Sequence, residues 1–416
     1  MSNNTSSFDP KNVRPLFPAL QQEVDGRPAL YLDGPGGTQV PHSVIEAMNG
    51  YLINGLSNSG GPFHSSRLTD ETSKAARRAM MDFYNASRPE EIVFGQNMTS
   101  LTFSMSRALA RSWQPGDEII VTRIDHDANI SPWLLAAEDH GVNVRWLDFR
   151  PEDCILALDT LPDLLSKKTR LVAINYASNA VGTINDVKQA IAMAHEVGAL
   201  AYVDAVHYAP HDLIDVQTLD CDFLASSAYK YFGPHTGVLY GKYEHLEQLT
   251  AYKVRPASNE PPGKWETGTQ SFESLAGVTA AINYIASLTD AAGTRRERLV
   301  QAMAVIKGYE SGLSDYFLQE ATKVPGLRVY GITDVEMLEH RTPTFAVSLK
   351  GHSAESVATQ LGKQGIYVWH GHYYALAVME RLGLLESGGL VRIGFVHYNT
   401  KDEADRLLEA LGNIGK

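Results

Sequence analysis

The sequence predicts an α/β protein: a large domain on a mainly parallel sheet, then a smaller α/β domain at the C-terminal end. Two patterns carry that expectation. Between residues 91 and 240, short apolar runs alternate with segments of helical spacing. A parallel sheet covered by helices on both faces reads this way. Beyond residue 290, a long helical segment is followed by strand, helix and strand again. A chain of 416 residues also exceeds one small domain and leaves room for a second unit.

In order along the chain, residues 1–30 read as a polar N-terminal arm with a short helix, 31–289 as the large domain and 290–416 as the small one. Strands are expected at Glu91–Phe94, Glu118–Ile124, Val144–Phe149, Leu171–Tyr176, Leu200–Val203 and Phe223–Ser226. Between them, helical spacing recurs at Leu101–Trp113, Pro132–His140 and Val187–Val197,. His235–Tyr240 is a further short strand, close behind Gly233-Pro234. Residues 251–275 contain Pro256, Pro261, Pro262 and Gly263 and read as irregular chain,. Helices follow at Ser274–Leu288 and around Arg295–Phe317. The small domain continues with a strand at Thr344–Leu349, a helix at Ala354–Gln364 and a strand at Val391–Tyr398. The last helix opens on Thr400-Lys-Asp-Glu403, a capping-box pattern,.

Composition narrows the function classes. Hydrophobic residues make up 44% and charged residues 20%, which supplies a sizeable core. The formal net charge of −12, with no Lys/Arg run, argues against nucleic acid or an anionic membrane as partner. Cys154 and Cys221 are the two cysteines, too few for a disulfide framework or a Cys-based zinc site. No apolar run reaches the ~18 residues of a membrane span. The opening MSNNTSSFDPKNVRPLF has no apolar core of the signal-peptide kind,. A cytoplasmic enzyme acting on a small molecule is the expectation.

Active sites in open parallel sheets sit at the carboxyl ends of strands. Asp125-His126-Asp127, Ser178-Asn179, Asp204 with His207, and Ser227 with Lys230 end four consecutive strands. Lys230 sits between two tyrosines after an apolar strand. Partial desolvation there lowers the ammonium pKa and favours an imine-forming amine. A lone lysine would more often reach out to solvent; the surrounding polar groups favour the imine. Asp204 can pair with a protonated pyridine nitrogen, or simply cap a helix. Its separation from Lys230, one strand–connection–strand unit, favours the former. The segment Phe94-Gly-Gln-Asn-Met-Thr99-Ser100 leads from strand to helix, where free amides meet an anion,. Ser227 can add a hydroxyl, although Thr99 and Ser100 taken alone read as simple N-caps. His126 can stack on a flat ring or merely be hydrogen-bonded. Arg392, inside an apolar strand, needs an anionic partner. A substrate carboxylate and an internal Asp or Glu are equally good candidates.

Several segments together resemble the fold-type I enzymes of pyridoxal 5'-phosphate (PLP), in the class V aminotransferase and cysteine desulfurase superfamily. They are Asp125-His-Asp-Ala-Asn-Ile-Ser-Pro-Trp133, Ser178-Asn-Ala-Val-Gly-Thr183, Val203-Asp-Ala-Val-His207, Ser227-Ala-Tyr-Lys-Tyr-Phe-Gly-Pro234 and Val391-Arg-Ile-Gly-Phe-Val-His-Tyr-Asn399. The resemblance runs from Tyr31 to the final helix. It implies a seven-stranded sheet in the large domain and PLP as cofactor. Lys230 would be the Schiff-base lysine, Asp204 the partner of the ring nitrogen and His126 the histidine stacked on the ring. His207 stands where the family usually has glutamine, reaching the phenolic oxygen, with Asn179 nearby. Met98, Thr99 and Ser227 correspond to phosphate-binding positions. Thr269, in Glu266-Thr-Gly-Thr-Gln, matches a phosphate ligand given by a second subunit, which implies a homodimer. Arg392 matches the arginine that holds the substrate carboxylate.

One departure bears on the reaction. Group II desulfurases carry an Arg-x-Gly-His-His-Cys-Ala loop; here the stretch is Trp369-His-Gly-His-Tyr-Tyr-Ala375. Tyr374 replaces the nucleophilic cysteine, and a phenol of pKa near ~10 does not replace a thiolate. Tyr229 replaces a histidine beside the lysine. The resemblance therefore implies a desulfurase-like lyase acting on the side chain of a small L-amino acid through a Cα carbanion, by β-elimination or decarboxylative C–C chemistry, without a persulfide. His370, His372, Tyr373 and Tyr374 are the candidates for substrate choice. A class V aminotransferase is the alternative. Ser227-Ala-Tyr-Lys230 formally matches a Ser-x-x-Lys hydrolase, but its serine ends a strand instead of opening a helix. His370-Gly-His372 lacks an evident third metal ligand.

Overall fold

The computed structural model describes residues 8–416; residues 1–7 of the expected arm lie outside the described residues. The large sheet has seven strands: β1 Ile92–Gly95, β2 Glu118–Thr122, β3 Asn143–Leu147, β4 Thr169–Asn175, β5 Leu200–Asp204, β6 Phe223–Ser227 and β7 Gly237–Gly241. Their order is β1-β7-β6-β5-β4-β2-β3. All pairings among β2 to β6 are parallel, and β7 runs antiparallel to both β1 and β6.

The central strands are mostly apolar because both faces are covered; the edge strand β3, with Asn143 and Arg145, is part-exposed. On β4, Val172 and Ile174 join one core while Leu171 and Ala173 join the other. On β5, Val203 and Tyr202 divide in the same way. That is the two-residue period of a strand read on a sheet buried on both sides. Helices α1 His42–Ile53, α2 His64–Tyr84, α3 Met98–Ala110, α4 Ser131–His140, α5 Val187–Glu196 and α6 Phe272–Ala286 surround this sheet. The packing faces of α3 and α4 belong to one core, those of α2, α5 and α6 to the other.

Helix α7, Arg295–Ala321, starts at a capping box between Thr294 and Glu297 and runs for 27 residues, about 40 Å of rod. Its first half, including Leu299, Met303 and Ile306, packs in the main core; Leu313 and Phe317 pack in a third, smaller core. That core covers an antiparallel sheet of β8 Leu327–Tyr330, β9 Thr344–Leu349, β10 Trp369–Gly371 and β11 Leu390–Gly394, in the order β8-β9-β11-β10. Helices α8 Ala354–Gly362 and α9 Lys401–Ile414 complete it, α9 opening on the Thr400–Glu403 capping box. Leu30–Tyr31 pairs with Ile366–Tyr367, and Leu30 and Leu32 pack in this third core. The chain thus enters beside its last third before building the main sheet.

Candidate functional site

A cavity of about 960 Å³ opens at the carboxyl ends of β4, β5 and β6, beneath β10 and β11. Every residue given a cofactor or substrate role from sequence lines it except Thr269, while the strand-end groups Asp125 and Ser178 and the first-turn Ser100 lie outside it. Thr269 is exposed in the irregular stretch after β7.

Lys230 ends a single 3-10 turn directly after β6, which delivers its side chain over the strand end. Its Nζ donates to the carbonyl of Pro35 and lies 4.7 Å from the Tyr229 ring centroid. Desolvation pulls its ammonium down to about 7, and the Arg392 cation pushes the same way; Asp204 and Asp33 oppose them,. Asp204 is the last residue of β5, and its Oδ1 accepts the Val206 amide at 2.9 Å. Burial raises its carboxyl to about 6. A cation docked against it would return it to the carboxylate. Amine and acid share one cavity, as the spacing of 204 and 230 predicted.

Helix α3 begins at Met98, earlier than the expected Leu101, and its cap is Asn97, not Thr99 or Ser100. Two neighbouring hydroxyls drew attention from the asparagine, whose Oδ1 accepts the Ser100 amide at 2.8 Å. Thr99 therefore sits in the first turn, where its amide has no intrahelical partner. The Met98 amide donates to Ser227 Oγ at 3.2 Å. Gly237 allows this: a Cβ there would lie 2.3 Å from the carbonyl carbon of Asn97. The helix N-terminus and the Ser227 hydroxyl thus form one donor-rich corner, suited to an anion.

His126 caps the turn after β2. Its Nδ1 accepts the Ala128 amide at 2.9 Å, so Nε2 carries the proton of the neutral ring,. Burial and the Lys230 and Arg392 cations drop its pKa to about 3, which keeps it neutral. Asn179 Nδ2 donates to the Tyr373 carbonyl at 2.9 Å, while its Oδ1 is buried without a partner. His207 Nε2 stands 3.1 Å from Thr342 Oγ1. Arg392 donates from Nη1 to the Asn179 carbonyl at 3.0 Å, and its guanidinium lies 4.6 Å from the Tyr373 centroid. Its Nε is buried and unpartnered. Among the described residues no carboxylate pairs with it, so the internal Asp or Glu weighed from sequence is not found.

The loop after β10 lines the mouth. Tyr373 and Tyr374 both have positive φ, 53° and 57°. The Tyr374 carbonyl accepts the Asp127 amide at 2.6 Å, and Asp127 Oδ2 accepts the Leu376 amide at 3.2 Å. The Tyr374 ring, 68% exposed, lies 5.6 Å from His126 at an interplanar angle of 16°. His372 Nδ1 accepts the Tyr374 amide at 3.1 Å. Neither cysteine lines the cavity; both are fully buried, and desolvation raises the Cys154 thiol to about 12 and Cys221 likewise upward.

Some contributors escaped sequence reasoning. Asp33 keeps a buried, unpartnered Oδ1, and burial raises it to about 6 against the pull of Arg392 and Lys230. Pro35 and Gly36, just after it, line the cavity wall. The signal was present in Tyr31-Leu-Asp-Gly-Pro-Gly-Gly, a short strand run into a Gly-Pro turn,. Asp125 is buried outside the cavity. It accepts Thr122 Oγ1, Asn129 Nδ2 at 2.7 Å and the Asn175 amide at 3.1 Å, tying the His126 turn to β4.

These residues fit a flat, phosphorylated pyridine aldehyde. An amine of lowered pKa, a carboxylate for a ring nitrogen and an anion corner share one cavity. The unpartnered atoms of Asn179 and Arg392 await polar groups, since buried polar atoms are normally satisfied.

The comparisons with known proteins agree with that fit. The family model described as aminotransferase class-V matches residues 30–407. A cysteine desulfurase of Pectobacterium atrosepticum is 34% identical, with 98% of each chain covered. A probable cysteine desulfurase of Halalkalibacterium halodurans is 32% identical over 96% of each chain. Among solved structures, the cysteine desulfurase CsdA of Escherichia coli, in an S-sulfonic acid form, superposes with TM-score 0.83 at 29% identity, covering 98% of both chains. The apo cysteine desulfurase of Thermococcus onnurineus does so with TM-score 0.87 at 26% identity, covering 97% of this chain and 98% of its own.

Proposed function

The chain belongs to the aminotransferase class-V family and is a PLP-dependent enzyme; from that premise we propose a desulfurase-like lyase that works on the side chain of a small L-amino acid without forming a persulfide on the protein. The observation that carries this reading is the absence of any thiol from the cavity. Cys154 and Cys221 are buried elsewhere, and the mouth loop presents Tyr374 against His126. A buried thiol with a raised pKa is not a nucleophile at neutral pH.

The cofactor supplies an electron sink for the pair left at Cα when a bond there breaks. Lys230 would hold the cofactor through its amine, and as a free amine it would be placed to move a proton at Cα; an amine with pKa near 7 takes and returns protons at neutral pH,. Asp204 would hold the positive charge of a protonated ring nitrogen,. Arg392 receives the α-carboxylate through the donors it does not give to Asn179,. Neutral His126 would present its flat ring and its Nε2–H to the cavity. Strand β10 and the loop after it, residues 369–375, would border the reacting side chain.

The test is incubation of the holoenzyme with a panel of small L-amino acids, following pyruvate, sulfide, CO2 and keto acids, with mass spectrometry of the intact protein. Side-chain cleavage or decarboxylation without added sulfur on the chain supports the reading. Protein-bound persulfide from cysteine would overturn it. Keto acid with accumulating pyridoxamine phosphate would make the enzyme an aminotransferase.

A further inference from the structure

Arg392 is held by more than its one hydrogen bond. Nη1 donates to the Asn179 carbonyl at 3.0 Å. The guanidinium also lies over the ring of Tyr373, 4.6 Å from its centroid. An aromatic face attracts a cation, and more strongly where water is excluded. Both side chains are buried, Arg392 to 5% exposure and Tyr373 to 8%, and both line the cavity.

Tyr373 is itself fixed at two further points. Its hydroxyl donates to the carbonyl of Leu390, two residues before Arg392 on β11. A carbonyl only accepts, so the direction of that bond is settled. The Tyr373 carbonyl in turn accepts Asn179 Nδ2 at 2.9 Å. One asparagine thus meets the arginine through its backbone and the tyrosine through its side chain. Arg392, Tyr373 and Asn179 form a closed set of contacts.

The backbone carries a second sign. Tyr373 has φ 53°, a left-handed conformation that is unfavourable for a bulky side chain and persists only where its surroundings impose it. A tyrosine that merely filled core space would need no such arrangement. Here it turns the ring under the cation while the next residue, Tyr374, is left 68% exposed at the mouth.

We propose that Tyr373 is a positioning residue for Arg392: its ring face, with the Asn179 carbonyl, holds the guanidinium in one orientation, so that the remaining donors are set in advance for the α-carboxylate of the substrate. The proposal rests on the reading of Arg392 as the seat of that carboxylate. Nε is the donor left buried and unpartnered. Ordering a long side chain beforehand removes a cost that binding would otherwise carry.

The experiment compares holoenzymes carrying Tyr373→Phe, Tyr373→Leu, Arg392→Ala, and Tyr373→Leu together with Arg392→Ala. Each is measured on the most active amino acid of the panel and on the matching amine without the α-carboxylate. The readouts are the dissociation constant, from the change in cofactor absorbance, kcat/KM and the melting curve. Tyr373→Leu removes the ring face and should weaken the amino acid about tenfold, the worth of a desolvated cation–π contact, while the amine changes little. Tyr373→Asn serves if leucine does not fold, because asparagine tolerates the left-handed backbone. Tyr373→Phe keeps the face and should keep the preference for the carboxylate, with a lower melting temperature because the bond to Leu390 is gone. In the Arg392→Ala background, Tyr373→Leu should cost little more, since it acts through the arginine. Equal losses on amino acid and amine, or losses that add in full to those of Arg392→Ala, would refute the role of Tyr373. So would an unchanged amino-acid affinity in Tyr373→Leu when Arg392→Ala is selectively impaired, and Arg392 would then stand alone. If Arg392→Ala loses no preference for the carboxylate, the substrate is seated elsewhere and both statements fall.

Discussion

Replacing Arg392 tests the proposed seat of the substrate carboxylate. One of its donors is engaged with the Asn179 carbonyl at 3.0 Å, while Nε is buried and idle. Burial lowers its pKa only to about 10, so it is charged at neutral pH. A carboxylate docked on Nε and the free Nη would gain two charge-assisted hydrogen bonds, each about 1.5–3 kcal/mol. At about 1.4 kcal/mol per factor of ten, Arg392→Ala should cost on the order of a hundred- to ten-thousandfold in kcat/KM. Arg392→Lys keeps the charge but not the two-pronged geometry and should fall between. A second consequence concerns Lys230. The Arg392 cation helps hold that amine near 7, so its removal should shift the basic group of the pH–rate profile upward. The assay is steady-state kinetics on the best amino acid of the panel, beside the matching amine that lacks the α-carboxylate. The amine should be little affected by the substitution. Equal losses on both substrates, with fold and cofactor binding intact, would refute the assignment.

Further outcomes follow from the buried groups. Cys154→Ala with Cys221→Ala should leave turnover within a few-fold of wild type while lowering stability by about 1–3 kcal/mol for two small buried side chains; loss of turnover in a folded double variant would restore a thiol mechanism. Asp125 is raised to about 8 by full burial, against about 3.9 in the unfolded chain. The folded state therefore binds the extra proton between those values, and stability should decline as pH rises from about 4 to 8. Asp125→Asn should flatten that part of the curve of apoprotein melting temperature against pH, and it should cost about 1–3 kcal/mol because one of three converging donors meets an amide nitrogen. An unchanged pH slope would show that Asp125 is ionised in the fold.

The sheet was legible because its strands are buried on both faces. Runs such as Leu171–Tyr176 and Phe223–Ser226 stand out as continuous apolar chain,, and each proved to be a strand. Strand ends are where such a sheet gathers polar groups, and His126, Asn179, Asp204 and Lys230, singled out by that position, do line one cavity; the roles proposed for them came from the resemblance. Harder to read was whatever depends on distant chain. Strand β10 is three residues long, too short to show alternation. Leu30–Tyr31 finds its partner in Ile366–Tyr367, far along the sequence. Thr342 meets His207 directly and also contacts the turn at Gly182, both far from it in sequence. The Asn97 cap was masked by the hydroxyls beside it. Local composition carries none of these contacts.

The most direct measurement is reduction of the yellow holoenzyme with borohydride, followed by digestion and peptide mass spectrometry. The phosphopyridoxyl group is expected on the peptide containing Lys230 and nowhere else, and Lys230→Ala should give a colourless protein that takes no label. Label on a different lysine, or a yellow protein that reduces without labelling Lys230, would contradict the placement of the cofactor between this amine and Asp204.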